Sequence, residues 1–315
     1  MIDYSLIQEI VSARVPIDDI LEMKMLKGGV FNESYRLTLY SGKAVVLQIS
    51  PELPDAISYE LHLMEAEAEV YRTGRMRGVP FPEVIAQGRL SENRARSYLL
   101  TSCLPGMPLS EAKRLNFRMS DALQSAGRSL KKLHSIEGEA FGRVAALQEE
   151  DKTKSSGWAQ ALLDELQEWR KRIHGTGIFS EEECESVEEI FLEHVSVLDE
   201  VNKPLLTHGD VWKGNLLVEG LRGDCRFSGW VDADHAMYGD PEFDFPAGRR
   251  FSTDFMNGYG ALSDSESARI RRRLYRLFYA FRQSYILTIR MHDEAQSIPQ
   301  RETVRRILRD GIDDA

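Results

Sequence analysis

The chain reads as an α+β protein of two unequal lobes, a small N-terminal one built on an antiparallel sheet and a larger, mainly helical one. Three observations predict this. Tyr35–Leu39 alternates apolar and polar residues, Ser41-Gly42 follows as a turn, and Ala44–Ile49 runs apolar again, which together mark a hairpin. A Pro/Gly-rich stretch, Leu104-Pro-Gly-Met-Pro108, closes that half, and beyond it strand patterns largely give way to helical ones. At 315 residues the chain suits one large domain or a two-lobed one with a substantial core. The lobes are therefore assigned to residues 1–103 and 104–315.

Taken in order, residues 1–22 predict a short helix and a connector that leads through Pro16 and Ile17 to the first strand. Gly28 and Gly29 precede the hairpin. Lacking side chains, they let backbone N–H groups approach a phosphate, or they simply serve a turn. Residues 58–73 set Leu61, Met64, Ala68 and Tyr71 on one helical stripe, flanked by Glu65 and Glu67. Val79–Ile85 and Ser97–Ser102 predict two more strands. In the second lobe a helix ends near Leu130–His134, residues 137–157 are polar and loop-rich, and Trp158–Ile173 predicts a helix. Ser180 with Glu183 is a capping-box signature that opens an acidic helix running to Asp199. Its glutamates suit a solvated face better than a site for a cationic ligand. Ser263 with Glu266 repeats the signature ahead of a long basic helix with Leu274, Leu277, Phe278, Phe281 and Tyr285 at core spacing.

Composition narrows the function. Hydrophobic residues at 42% and charged residues at 29% describe an ordinary globular protein. No run of about 18 apolar residues predicts a membrane span, and the first residues lack a signal-peptide pattern. Cys103, Cys184 and Cys225 are far apart without metal spacing and read as free thiols of a reducing, cytoplasmic compartment. A net charge of −10 argues against a nucleic-acid partner. It would attract a cationic small molecule instead, and it makes any nucleotide site depend on Mg²⁺ and local donors.

Chemistry concentrates between Leu206 and Asp244. Asn215–Val218 and Phe227–Val231 read as short strands joined by a polar turn at Glu219–Asp224. Asp210 lies before the first strand, and Asp232 and Asp234 lie after the second. A hairpin gathers Asp210, Asn215 and Asp232 at one end of a rigid support. Phosphoryl transfer from ATP needs a carboxylate to orient and deprotonate the acceptor hydroxyl, and oxygen ligands to hold Mg²⁺ against the triphosphate. The alternative for single acidic residues is turn formation and capping, which is the reading for Asp240, Glu242 and Asp244. His208 reads as structural, and Asp234 is left between a supporting role and exposure.

The segments His208-Gly209-Asp210-x-x-x-x-Asn215, Val231-Asp232-Ala233-Asp234 and Gly239-Asp240-Pro241-x-x-Asp244 together resemble the catalytic segment of the aminoglycoside phosphotransferase family. That family includes antibiotic kinases and the related choline, fructosamine and homoserine kinases, and has a two-lobed, protein-kinase-like fold. The resemblance implies ATP or GTP and Mg²⁺ as cofactors, Asp210 as catalytic base, and Asn215 and Asp232 as metal ligands. It implies a small-molecule hydroxyl acceptor, with a cationic aminoglycoside favoured, antibiotic resistance as the setting, and a macrolide, sugar, choline or homoserine as alternatives. It places the nucleotide loop at Gly28 and Gly29, and the adenine edge at the backbone of Thr101, Ser102 and Cys103.

One position departs from the pattern. The family carries a phosphate-binding lysine where Gln48 stands, paired with a helix glutamate for which the resemblance favours Glu67. Lys43 or Lys27 is the expected substitute cation. Gln48 also motivates the rival reading, a nucleotide-binding protein that does not catalyse.

Overall fold

The computed structural model describes residues 7, 10–12, 14, 20–26, 32–52, 56–90, 96–112, 117–148, 155, 157–221 and 223–312. Lys27, Gly28 and Gly29 lie outside these residues. The N-terminal lobe is a five-stranded antiparallel sheet in the order β1-β2-β3-β5-β4. Its strands are β1 (Ile20–Met25), β2 (Glu33–Leu39), β3 (Ala44–Ile49), β4 (Val84–Arg89) and β5 (Ser97–Ser102). The hairpin predicted at Tyr35–Ile49 is β2–β3, with Tyr35 opposite Leu47.

β-strand alternation gives this sheet two different faces. Tyr35, Leu37, Val45, Leu47, Ile49 and Leu100 pack on one face with Ile7, Ile10 and Val11 in a small core. Gln48 is paired with Leu99, and cross-strand partners share a face. Leu99 belongs to the large core with Met64, Ala68 and Tyr71 of helix α1 (Leu63–Met76). Gln48 therefore lies on the face turned toward α1.

Three sequence expectations shift. β1 occupies the end of the span assigned to a helix and connector, as an edge strand that is exposed nearly throughout. The Val79–Ile85 strand moves on to Val84–Arg89, because Val79-Pro-Phe-Pro is a wedge between the lobes. The Pro80 carbonyl accepts from Trp230 N at 2.9 Å, and Phe81 stacks on Tyr71 at 5.0 Å. The long basic helix begins at Glu266, but its cap is Ser265, which accepts from Ala268 N, while Ser263 supports Ser265.

The second lobe begins with β6 (Met107–Pro108) and α2 (Leu109–Ala112), followed by α3 (Ser120–Leu133), β7 (Gly142–Arg143) and α4 (Trp158–Ile173). Next come α5 (Glu181–Glu193), α6 (Val195–Leu198), β8 (Leu205–Leu206), and the hairpin β9 (Leu216–Leu221) and β10 (Asp224–Trp230). β11 (Met237–Gly239), α7 (Thr253–Tyr259), α8 (Glu266–Tyr285) and α9 (Glu294–Asp310) complete it. The hairpin pairs Leu216 with Trp230 and extends into the predicted turn as far as Leu221 and Asp224. Trp158, Trp169, Phe191, Phe243, Tyr275 and Phe278 fill the helical core on which this hairpin is mounted. The Ser180–Glu183 capping box forms as the sequence predicts.

Candidate active site

Asp210, Asn215 and Asp232 meet at the base of the β9–β10 hairpin. The Asn215 side-chain amide donates to Asp210 Oδ2 at 2.8 Å and to the Asp210 carbonyl at 3.0 Å. The Asn215 carbonyl accepts from Val231 N at 3.0 Å, which ties it to the residue before Asp232. Asn215 is buried, while Asp210 and Asp232 remain half-buried and open to the cleft. Burial raises the Asp210 carboxyl above its ordinary value, against the pull of His208, Arg249 and Arg282. Asp232 is raised further, by burial and then by the charges of Asp234 and Asp210.

The loop carrying Asp210 is anchored from below. Asp244 accepts from His208 N and from Gly209 N, both at 2.8 Å, and faces His134 Nε2 at 2.9 Å. Those donors hold the Asp244 carboxyl below the usual carboxylate range even though it is buried. Tyr279 donates to the Gly209 carbonyl at 3.0 Å. Gly209 has φ +80°, and a Cβ there would lie 1.9 Å from the His235 carbonyl, so only glycine fits. The His208 ring packs against Trp230 at 5.4 Å. His208 is thus structural, as its sequence setting suggests. Asp240 caps a turn and holds Arg271 and Tyr275, again as expected, whereas Asp244 does more than form a turn.

Asp232 is a non-glycine residue at φ +64°, a conformation costing about 1–3 kcal/mol. Its N–H donates to Tyr71 Oη at 3.0 Å, and Tyr71 donates in turn to Glu67 Oε1. Glu67 therefore faces the Asp232 loop, and Gln48 makes no side-chain hydrogen bond to it among the described residues. Glu67, the glutamate favoured by the resemblance, is thus held by Tyr71. Burial first, and Asp232 second, raise Glu67 to about 8. Asp234 is 6% exposed and is raised to about 7 by burial, Glu67 and Asp210, which settles it as part of the buried cluster.

Glu67, Asp232 and Asp234 are each raised by burial and then by a neighbouring carboxylate, and with Asp210 they form an oxygen-rich cluster that suits a hard cation. Among the described residues no three His, Cys, Asp or Glu side chains converge to enclose a metal by themselves. That agrees with Mg²⁺, which takes one or two protein oxygens and completes its shell with phosphates and water. Asp232 and the Asn215 amide oxygen are the side-chain oxygens that could hold such an ion.

The adenine-edge residues form the end of β5. Ser102 N donates to the Glu83 carbonyl at 2.9 Å and Cys103 N to the Ala44 carbonyl at 3.1 Å, so both donors are engaged in the sheet. Thr101 is buried between Val46 and Val84. Leu104, the next residue, makes no N–H hydrogen bond among the described residues. Lys43 is exposed at the hairpin turn. Sequence reasoning missed Tyr71, Asp244, Tyr279 and Arg249. The first three sit in apolar or turn-like patterns, and their partners are distant in sequence. Arg249 donates to the Val211 carbonyl at 3.0 Å and lies over the Tyr279 ring at 5.9 Å.

The model of the phosphotransferase enzyme family matches residues 22–273. No curated protein matches the chain. Among solved structures it is similar to a thermostable mutant of the aminoglycoside phosphotransferase APH(4)-Ia in complex with ADP and hygromycin B. That match has a TM-score of 0.66 and 16% identity, and covers 98% of this chain and 99% of that one. A candidate fructosamine-3-kinase from Thermobifida fusca matches at TM-score 0.67 and 17% identity, covering 96% of this chain and 100% of that one. The GDP complex of aminoglycoside 2'-phosphotransferase-IIIa matches at 0.61 and 16%, covering 96% and 98%. Likeness at these identities is one of fold: the two-lobed, kinase-like fold.

Proposed function

Because the chain belongs to the phosphotransferase enzyme family, we propose that it transfers the terminal phosphoryl group of ATP or GTP, with Mg²⁺, to a hydroxyl of a small molecule. Asp210 is the base that orients and deprotonates the hydroxyl, and its raised pKa makes it a better proton acceptor. Asn215 and Asp232 would hold the metal, which would supply positive charge to offset that of the phosphates. Residues 1–103 bind the nucleotide, with Gly28, Gly29, Gln48, Glu67 and the end of β5 at Thr101–Cys103 lining its site, where the Ser102 and Cys103 N–H groups are already engaged, and residues 104–315 carry the chemistry and the acceptor.

One observation carries this reading: the Asn215 side chain holds Asp210 at 2.8 Å while its carbonyl receives Val231 N at 3.0 Å, beside Asp232. The test is ADP release over a panel of hydroxyl acceptors, with Asp210→Asn as control. Turnover that Asp210→Asn lowers by at least about a hundredfold supports it. Tight nucleotide binding with no turnover on any acceptor supports the non-catalytic rival, which Gln48 motivates.

For the acceptor, an aminoglycoside, and with it antibiotic resistance, is supported by the net charge of −10 and by the hygromycin B held by one structural neighbour. A second reading, a metabolite hydroxyl, is favoured by the acidic helix. Arg170 takes Glu181 and Glu188, and Arg305 takes Glu183, so these carboxylates are already engaged within the protein. No helix among the described residues is long and apolar enough to cross a membrane. The three free cysteines support a reducing cytoplasm.

A further inference from the structure

The protein carries 50 acidic and 40 basic residues, and its surface potential is negative on balance. On the helices beside the catalytic loop several arginines have a carboxylate partner. Arg271 pairs with Asp240, Arg272 with Glu242, Arg301 with Glu294 and Arg305 with Glu183. Arg249, Arg276 and Arg306 close no ion pair among the described residues. They also lie near one another, one from the 246–250 loop, one from α8 and one from α9.

Loop 246–250 is fixed on α8. Ala247 N donates to the Arg272 carbonyl at 2.8 Å, and the Ala247 carbonyl accepts from Arg276 Nη1 at 3.0 Å. Gly248 is at φ +80°, and a Cβ there would stand 2.4 Å from Arg276 Nη1, so the loop lies directly on that guanidinium. Arg276 is half-buried, and its other hydrogen bond goes to Thr303 Oγ1 at 3.4 Å. Burial and the charge of Arg306 both lower the Arg276 pKa, the signature of two cations that no anion separates.

From this platform Arg249 reaches the catalytic loop at the residue after Asp210, and Tyr279 beneath it reaches the residue before. Arg249 donates to the Val211 carbonyl at 3.0 Å, and the Tyr279 ring beneath its guanidinium donates to the Gly209 carbonyl at 3.0 Å. Asp210 Oδ2 is taken by Asn215 on the metal side. Arg249 is exposed, with donors beyond the one given to Val211. A guanidinium held in this way is preorganised for a carboxylate or phosphate.

We infer that Arg249 is a specificity-determining residue and that the acceptor carries an anionic group, carboxylate or phosphate, beside the hydroxyl that is phosphorylated. Arg276 and Arg306 lie behind it and offset the protein's negative field at this wall. The inference rests on the phosphotransfer reading for the hydroxyl and sides with the metabolite acceptor against the aminoglycoside, and the anion site is separable from turnover.

The test compares gluconate, glycerate and glycerol phosphate with glucitol, glycerol and kanamycin in ADP release, for the wild type, Arg249→Ala and Arg249→Lys. A charged contact of this kind is expected to favour the acids by about tenfold or more in kcat/KM. Arg249→Ala should remove that preference mainly through KM for the acids, and Arg249→Lys should retain part of it. A merely structural brace would lower acids and neutral polyols alike. The carboxylate and phosphate arms separate the two anion classes. Binding is followed independently by Trp212 fluorescence, because Trp212 adjoins Val211 and is 50% exposed while Trp158, Trp169 and Trp230 are fully buried. A saturable change with an acid that Arg249→Ala abolishes supports the inference even where no acceptor turns over, an outcome that would count against phosphotransfer alone. Kanamycin or the neutral polyols preferred, a preference that survives Arg249→Ala, or no saturable acid binding in a protein that does not turn over would each overturn it.

Discussion

The Tyr71 hydroxyl stands between Glu67 and Asp232, accepting from Asp232 N at 3.0 Å and donating to Glu67 Oε1. Glu67 and Tyr71 are one helical turn apart on α1, so an (i, i+4) pair in the small lobe sets the backbone of a loop in the large one. Tyr71→Phe leaves a buried carboxylate and a strained N–H without their partner. Unfolding in urea is expected to show a loss of about 1–3 kcal/mol. The apparent Mg²⁺ requirement in ADP release should rise with it, because Asp232 loses the bond that holds its positive φ. An unchanged Mg²⁺ dependence would make Tyr71 an ordinary core residue.

Glu67 also gives the stability a pH dependence. Its folded pKa is raised from 4.5 to about 8, so between those values the folded state binds more protons than the unfolded one. The sign follows: the stabilising contribution is full below pH 4.5 and is lost as pH rises toward about 8. Urea midpoints without divalent metal should fall across this window. Glu67→Gln, which cannot ionise, should flatten the curve. A wild-type midpoint that rises from acid to neutral pH and is unaffected by Glu67→Gln would contradict the assignment.

Gln48 shares the sheet face of Leu99, toward α1, yet brings no charge. Gln48→Lys places a cation on that face, near the buried carboxylates, where charge-assisted contacts to a phosphate become available. The KM for ATP is expected to fall by about tenfold or more, with kcat changed less. A KM that stays put would mean that the phosphates do not reach this face of the sheet.

What the sequence disclosed follows from how local each signal is. Asp210, Asn215 and Asp232 were legible because short spacings and one hairpin bring them together, and β2–β3 because its alternation is clean. β1 was hidden because nearly every residue from Leu21 to Met25 is exposed, so no buried face imposes a pattern on its edge position. Val79-Pro-Phe-Pro looked like a strand because it is apolar, but its residues are buried between α1 and the second lobe. At the start of α8, two serines compete for one cap, and spacing alone favoured the wrong one. Tyr71, Asp244 and Arg249 were out of reach for a shared reason: their partners lie far along the chain, on elements whose packing no local pattern records.

Asp244 yields the last prediction. Both of its oxygens accept backbone N–H groups of the catalytic loop, from His208 and Gly209, and His134 Nε2 lies 2.9 Å from Oδ2. Asp244→Asn keeps the shape but offers one acceptor oxygen where two are needed, and it turns an NH₂ group toward a backbone donor. Breaking a buried charged contact of this kind costs about 3–5 kcal/mol. The mutant should remain folded at low temperature but melt earlier. Asp244 is 1% exposed beneath the catalytic loop, so its effect on turnover is expected to pass through the placement of Asp210. In protein verified as folded, kcat is therefore expected to fall by about tenfold or more while KM for ATP changes little. A loss of nucleotide affinity in step with kcat would point to general loosening of the fold, and a full kcat would remove Asp244 from the positioning of the base.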